Sequence, residues 1–155
     1  ILVAESAEQK NSLWKIRRKV GEAVKSNSVY KEEDTVVPRA ELPKLLVGVK
    51  EIGKKYGFGS VCYGHAGDGN LHVNIIKGDL SVEVWNNDLP KGIKEIFELC
   101  KTLGGTISGE HGIGLVQKDY LPIVFPKYQL KLMQDIKRVF DPNYILNPGK
   151  IFSSD

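Results

Sequence analysis

Histidine, cysteine and long apolar runs are all scarce in this 155-residue chain, and each scarcity narrows what it can be. No apolar stretch approaches membrane-spanning length, which excludes an integral membrane helix and leaves peripheral contact open. The two cysteines, Cys62 and Cys100, each lie in an apolar stretch. That is the pattern of reduced core thiols in an intracellular protein rather than of a disulfide framework. An excess of one charge is missing too: the net charge is +3, and basic residues alternate with acidic ones, as in Lys31-Glu32-Glu33-Asp34. Without a continuous basic stripe, nucleic acid is not an expected partner. No Gly-x-Gly-x-x-Gly joins a strand to a helix, and no phosphate loop ends in Gly-Lys-Ser/Thr, so no nucleotide-binding domain is encoded. Apolar content of 41% and charged content of 26% are ordinary for one globular domain. The opening Ile1-Leu2-Val3-Ala4 has no initiator methionine and is too short for a signal peptide. It reads as an interior strand, and the chain as a fragment of a longer protein.

What the chain does have is concentrated. All three histidines sit in two glycine-rich segments, Gly64-His65-Ala66-Gly67-Asp68-Gly69-Asn70-Leu71-His72 and Ser108-Gly109-Glu110-His111-Gly112-Ile113-Gly114. Imidazole and carboxylate groups suit a divalent metal such as zinc, manganese or iron. Glycine lets the backbone turn sharply and approach a bound group. If the two segments meet, they form a site with three or four ligands. The spacing is neither that of a zinc finger nor of His-Glu-x-x-His on one helix, so it names no particular metal.

Periodicity supplies the frame. Leu13, Ile16, Val20 and Ala23 recur at helical spacing between Gln9 and Lys25. Val29 to Val37 is extended. Leu42, Leu45, Leu46, Val49, Ile52 and Tyr56 follow Pro38 as a second helix closed by Gly57. Residues 60–65 and 70–77 alternate as two strands, and Ala-Gly-Asp-Gly between them is hairpin chemistry. The hairpin brings His65 and His72 together, with Asn74 on the face of His72. A third helix runs from Pro90 to Leu103 and a fourth from Pro126 to Phe140. With no strand–helix–strand repeat, the expected class is α+β, an antiparallel sheet covered by helices.

Several residues have plainer explanations. Asp68 suits a turn and is read as structural. Arg17-Arg18-Lys19 is by itself a solvated helix face, Lys31 has no special status on composition, and Asn147-Pro148-Gly149-Lys150 makes an ordinary turn. Glu110-His111 also suits a helix N-terminus, although five glycines between Gly104 and Gly114 exceed what a cap needs.

Three segments together resemble one family: residues 63–74, residues 105–114, and Lys137 to Phe152, which reads Lys-Arg-Val-Phe-Asp-Pro-Asn-Tyr-Ile-Leu-Asn-Pro-Gly-Lys-Ile-Phe. The chain is similar to the C-terminal part of FAD-linked oxidases of the vanillyl-alcohol oxidase superfamily. Members include glycolate oxidase flavin subunits, D-lactate dehydrogenases and D-2-hydroxyglutarate dehydrogenases. The resemblance implies a ferredoxin-like cap over residues 1–140, incomplete at its N-terminus, and a tail over 141–155 returning toward a missing FAD-binding domain. It implies FAD and a divalent metal as cofactors and a small D-2-hydroxy acid as substrate. By the same resemblance His65, His72 and Glu110 match metal ligands, and His111 matches the histidine that takes the hydroxyl proton. Arg17, Lys31 and Asn74 match groups binding the substrate carboxylate; Asn147 and Lys150 fall in the segment returning to the flavin. Gly21 stands where the hydroxyglutarate branch has a hydroxyl residue, a departure that bears on dicarboxylate specificity. The expected location is cytoplasmic, peripheral to a membrane if attached to one, or mitochondrial in a eukaryote. A non-catalytic metal- or carboxylate-binding module is the alternative; the downstream electron acceptor is not encoded.

Overall fold

Three seven-residue strands, β1 (Tyr30–Val36), β2 (Gly59–His65) and β3 (Asn70–Ile76), form one antiparallel sheet in the order β1-β3-β2. The computed structural model describes residues 3–26 and 28–152. Helix α1 (Ala7–Ser26) precedes β1, and α2 (Leu42–Tyr56) links β1 to β2. Helix α3 (Leu89–Thr102) follows β3, entered through a π-helical turn at Val84–Asp88. Strand β3 is thus inserted between β1 and β2, the split β-α-β arrangement of ferredoxin-like layers. A single bridge between Val36 and Thr106 extends the sheet beyond β1. The α+β expectation holds.

The two sheet faces have different fates because alternate side chains point opposite ways. Val73 and Ile75 of β3 are wholly buried against Leu45 and Val49 of α2 and Ile93, Ile96, Phe97 and Cys100 of α3. Burying such side chains contributes about 1.5–3 kcal/mol each before entropy is charged, so this layer anchors the sheet. Helix α2 ends where Gly57 takes φ 77° and its N–H returns to Gly53 O. At Gly69, φ is 76° and an added β-carbon would lie 2.0 Å from Val37 O. Only glycine permits the hairpin turn to press this closely on the chain leaving β1.

Two helices show less burial than their periodicity predicts. Helix α1 has no buried residue, and α5 (Lys127–Phe140) has none either. Val139 and Phe140 on α5 are 77% and 80% exposed. Helical periodicity reports a face suited to cover; it does not supply the cover. The segment between residues 115 and 125, given no element from sequence, folds as a short 3-10 turn (Lys118–Tyr120) and α4 (Leu121–Val124).

Glu33 is the exception on the core face. It is fully buried beside Val73, accepting a 3.0 Å hydrogen bond from Gln117 Nε2, with Lys31 Nζ 3.7 Å away. Burial raises its pKa above the ordinary 4.5, and the Gln117 and Lys31 contacts only partly offset this. The unfolded chain therefore releases this proton first as pH rises, and Glu33 erodes stability from that ordinary value up through its raised folded value. Glu33→Gln is expected to leave stability near pH 4 unchanged and to raise it by about 1 kcal/mol at pH 7.5. Urea denaturation at both pH values checks this; a less stable variant at pH 7.5 contradicts it.

Candidate active site on the sheet face opposite the core

The second sheet face carries the chemistry. In register, β1 offers Glu32 and Asp34, β3 offers Asn74, His72 and Asn70, and β2 offers Val61, Tyr63 and His65. His72 lies opposite Tyr63, and His65 opposite Asn70. The two histidines are therefore diagonal neighbours rather than a facing pair, with ring centroids 5.8 Å apart.

The second glycine-rich segment folds over this face because Asp34 holds it. One carboxylate oxygen, Oδ2, accepts the backbone N–H groups of Gly109, Glu110 and His111 at 2.8, 2.7 and 2.8 Å. Ser108 Oγ donates to the same oxygen at 3.3 Å, and Asn70 Nδ2 donates to Oδ1 at 2.6 Å. Burial alone would raise the Asp34 pKa, but hydrogen bonds from His111, Asn70 and Glu110 outweigh it and hold the carboxylate below its ordinary value. Gly109 must be glycine: a β-carbon there would lie 2.1 Å from Asn70 Nδ2.

Anchored this way, Glu110 reaches both histidines. Glu110 Oε1 is 3.1 Å from His72 Nε2 and 3.6 Å from His65 Nε2. Ligand atoms around a tetrahedral ion with bonds of 2.0–2.1 Å are about 3.4 Å apart, and these two distances bracket that value. His111 stacks on His72, centroids 4.9 Å apart and planes 18° from parallel. Glu32, His72 and His111 form a second set of three groups close enough to share an ion. The two sets overlap at His72.

Unpartnered buried atoms mark the same face. Asn74 is 0% exposed, yet neither its Nδ2 nor its Oδ1 has a hydrogen-bond partner. His72 Nδ1 is also unpartnered: Glu32 Oε1 and Asp34 Oδ1 both stand 3.8 Å away, beyond hydrogen-bond reach. Buried polar groups left open in this way are unusual in a folded protein and need a reason. Beside them, Arg17, Gly21, Tyr63 and Gly64 line a hollow of about 290 Å³ under α1. The Tyr63 ring lies 5.7 Å from that of His72, which joins the hollow to the cluster.

Of the residues singled out from sequence, the structure gathers His65, His72, Glu110, His111 and Asn74 on one face, with Arg17 at its margin. Lys31 is not brought there. It pairs with Ile75 in register and projects to the core face, beside Glu33. Its neighbour Glu32 occupies the site face, since a one-residue step reverses a side chain's direction in a strand. Asn147 and Lys150 hydrogen-bond to one another (Nζ–Oδ1 3.2 Å), not to any group of the cluster. Neither Asp34 nor Glu32 stands out in the sequence, and Tyr63 does so only as a member of the segment 63–74 that carries the resemblance. The available signal was acids at alternate positions of a strand, which only the register turns into a shared face.

An antiparallel sheet with an imidazole–carboxylate cluster on the face opposite its helix-packed core defines an α+β layer. Over residues 1–151 the sequence matches the family described as FAD linked oxidases, C-terminal domain, and the chain belongs to that family. It is 36% identical over 152 residues to a D-lactate dehydrogenase of Anaerostipes hadrus, covering 97% of this chain and 32% of that protein. Identity is 36% over 156 residues to a D-2-hydroxyglutarate dehydrogenase of Stutzerimonas stutzeri, covering 99% and 33% of the two chains. It is 35% over 162 residues to glycolate oxidase subunit GlcD of Bacillus subtilis, covering 100% and 33%. The chain thus spans about a third of the length of these relatives. No helix among the described residues is long and apolar enough to cross a membrane.

Proposed function

We propose that this chain is the substrate-binding part of an FAD-linked dehydrogenase or oxidase that converts a D-2-hydroxy acid to the 2-oxo acid. One observation carries the reading: His65, His72 and Glu110 converge within 3.1–3.6 Å contacts beside the open amide of Asn74. The names of the relatives point to the same chemistry.

His65, His72 and Glu110 would hold a divalent ion, zinc, manganese or iron, which when bound lowers the pKa of a hydroxyl as a Lewis acid. FAD, held mainly by sequence outside this chain, supplies the hydride acceptor. Asn74 offers its amide to the substrate carboxylate, and Arg17, with no ion-pair partner among the described residues, offers a guanidinium fork to the same group. Fixing the carboxylate in this way orients the carbon that loses hydride. His111, stacked on His72, accepts the hydroxyl proton, since imidazole is the side chain most often used as a general base. The exposed apolar residues of α5, with Ile145 and Leu146 of the tail, are the surface such a cap turns to the rest of its protein.

The test compares two proteins. The full-length parent is expected to show a flavin spectrum, to bind a divalent metal, and to oxidise at least one of glycolate, D-lactate and D-2-hydroxyglutarate with an artificial acceptor. Residues 1–155 alone are expected to be colourless and inactive. A full-length flavoprotein whose flavin no 2-hydroxy acid reduces contradicts the proposal.

A further inference from the structure

Glu32 is the charged group on the site face to which no role has been given. It lies directly opposite Asn74 in the β1–β3 pairing, so their side chains leave the sheet on the same side. Facing β-carbons in such a pair are about 4.5–5.5 Å apart. The glutamate is mostly covered, with 16% of its side chain exposed, and its two oxygens face different groups. Oε2 pairs with Lys25 of α1 at 3.1 Å, while Oε1 turns to His72 Nδ1 at 3.8 Å. One carboxylate oxygen is therefore turned toward His72, on the sheet face that Glu32 shares with Asn74 and Tyr63.

We infer that Glu32 is a specificity-determining residue that admits short monocarboxylic 2-hydroxy acids and rejects dicarboxylic ones. The inference rests on the functional reading above. A carboxylate held by the Asn74 amide sits one side-chain length from Glu32. The carboxylate next to the reacting carbon is common to all 2-hydroxy acids, and its interaction with Glu32 cancels when two substrates are compared. A second carboxylate, one or two methylenes further on, does not cancel. It meets the negative oxygen in a half-covered site, and the nearest cation, Lys25, is already engaged by that same glutamate. A like-charge pair about 5 Å apart at the effective dielectric of a partly buried site costs a factor of about 100 in binding. A hydrogen or methyl substituent meets no such penalty, and a hydroxyl can donate to Glu32.

The experiment uses the full-length flavoprotein and reads the ratio of kcat/KM for D-lactate to kcat/KM for D-2-hydroxyglutarate. The wild-type ratio is expected to favour D-lactate by about 100-fold. Glu32→Gln is expected to lower it by about 10-fold or more, and Glu32→Lys further, because the charge is first removed and then reversed. Lys25→Gln frees the Glu32 charge and should move the ratio the other way, which keeps the test open if a Glu32 variant fails to fold. Zinc content is measured in each variant. A ratio that no variant moves, a wild type that prefers the dicarboxylate, or loss of zinc from Glu32→Gln overturns the inference. Oxidation of none of glycolate, D-lactate and D-2-hydroxyglutarate by the wild type removes the functional reading as well, an outcome distinct from an unmoved ratio in an active enzyme.

Discussion

Alanine at His72 or His65 in the full-length flavoprotein is expected to lower metal content and turnover together. His111→Ala is expected to keep the metal while slowing turnover by roughly 100- to 10,000-fold, the usual worth of a general base. The geometry makes the two effects separable. Glu110 Oε1 contacts both His72 and His65, so those three groups close on one point. His111 Nε2 stands 4.0 Å from the same oxygen and the ring stacks on His72, which leaves it beside that point. Metal analysis alongside steady-state kinetics reads both quantities. The alternative set of Glu32, His72 and His111 makes the opposite forecast: His111→Ala would strip the ion and His65→Ala would spare it. His72 belongs to both sets, so its replacement should be the most damaging of the three.

The largest effect on folding is expected at Asp34. Its Oδ2 gathers three successive backbone N–H groups and the Ser108 hydroxyl, and Oδ1 takes the Asn70 amide. Asp34→Ala leaves all of these donors without their acceptor. Each half-covered unsatisfied group costs on the order of 1 kcal/mol or more, so a loss of about 3 kcal/mol is expected. The turn over residues 108–112 should open with it. Amide hydrogen exchange at Gly109, Glu110 and His111 is the direct measurement, and retained protection would contradict the assignment. Because hydrogen bonding holds the folded pKa of Asp34 below its ordinary 3.8, this stabilisation is present above that value. It is lost only as pH falls through the depressed folded value. Acid should therefore release the turn, and with it Glu110 and His111, and Asp34→Asn should mimic that loss at neutral pH.

Helices were legible where a stripe was regular and a stop was explicit. Gly57 and Gly104 both take the left-handed backbone that ends α2 and α3. The π-helical turn at Val84–Asp88 had no such mark, because it arises from how the chain enters α3. The hairpin was legible from its turn residues, and with it the placing of His65 and His72 on one face. Lys31 shows the limit of carrying a role over by resemblance. One position decides between core and site in a strand, and Glu32, not Lys31, has the parity of Asn74 and His72.

By itself the sequence determined the layer class, the histidine hairpin and the chemical character of the site, since turn chemistry, alternation and ligand type are properties of neighbouring residues. The tertiary structure alone decided that Glu110 meets both histidines, that Asp34 is the anchor that makes this happen, and that Glu32 shares the face of Asn74 and His72. Each of these joins residues from different strands or from a distant loop. Their meeting depends on strand order and register, which the packing of the opposite face on α2 and α3 selects over the whole domain.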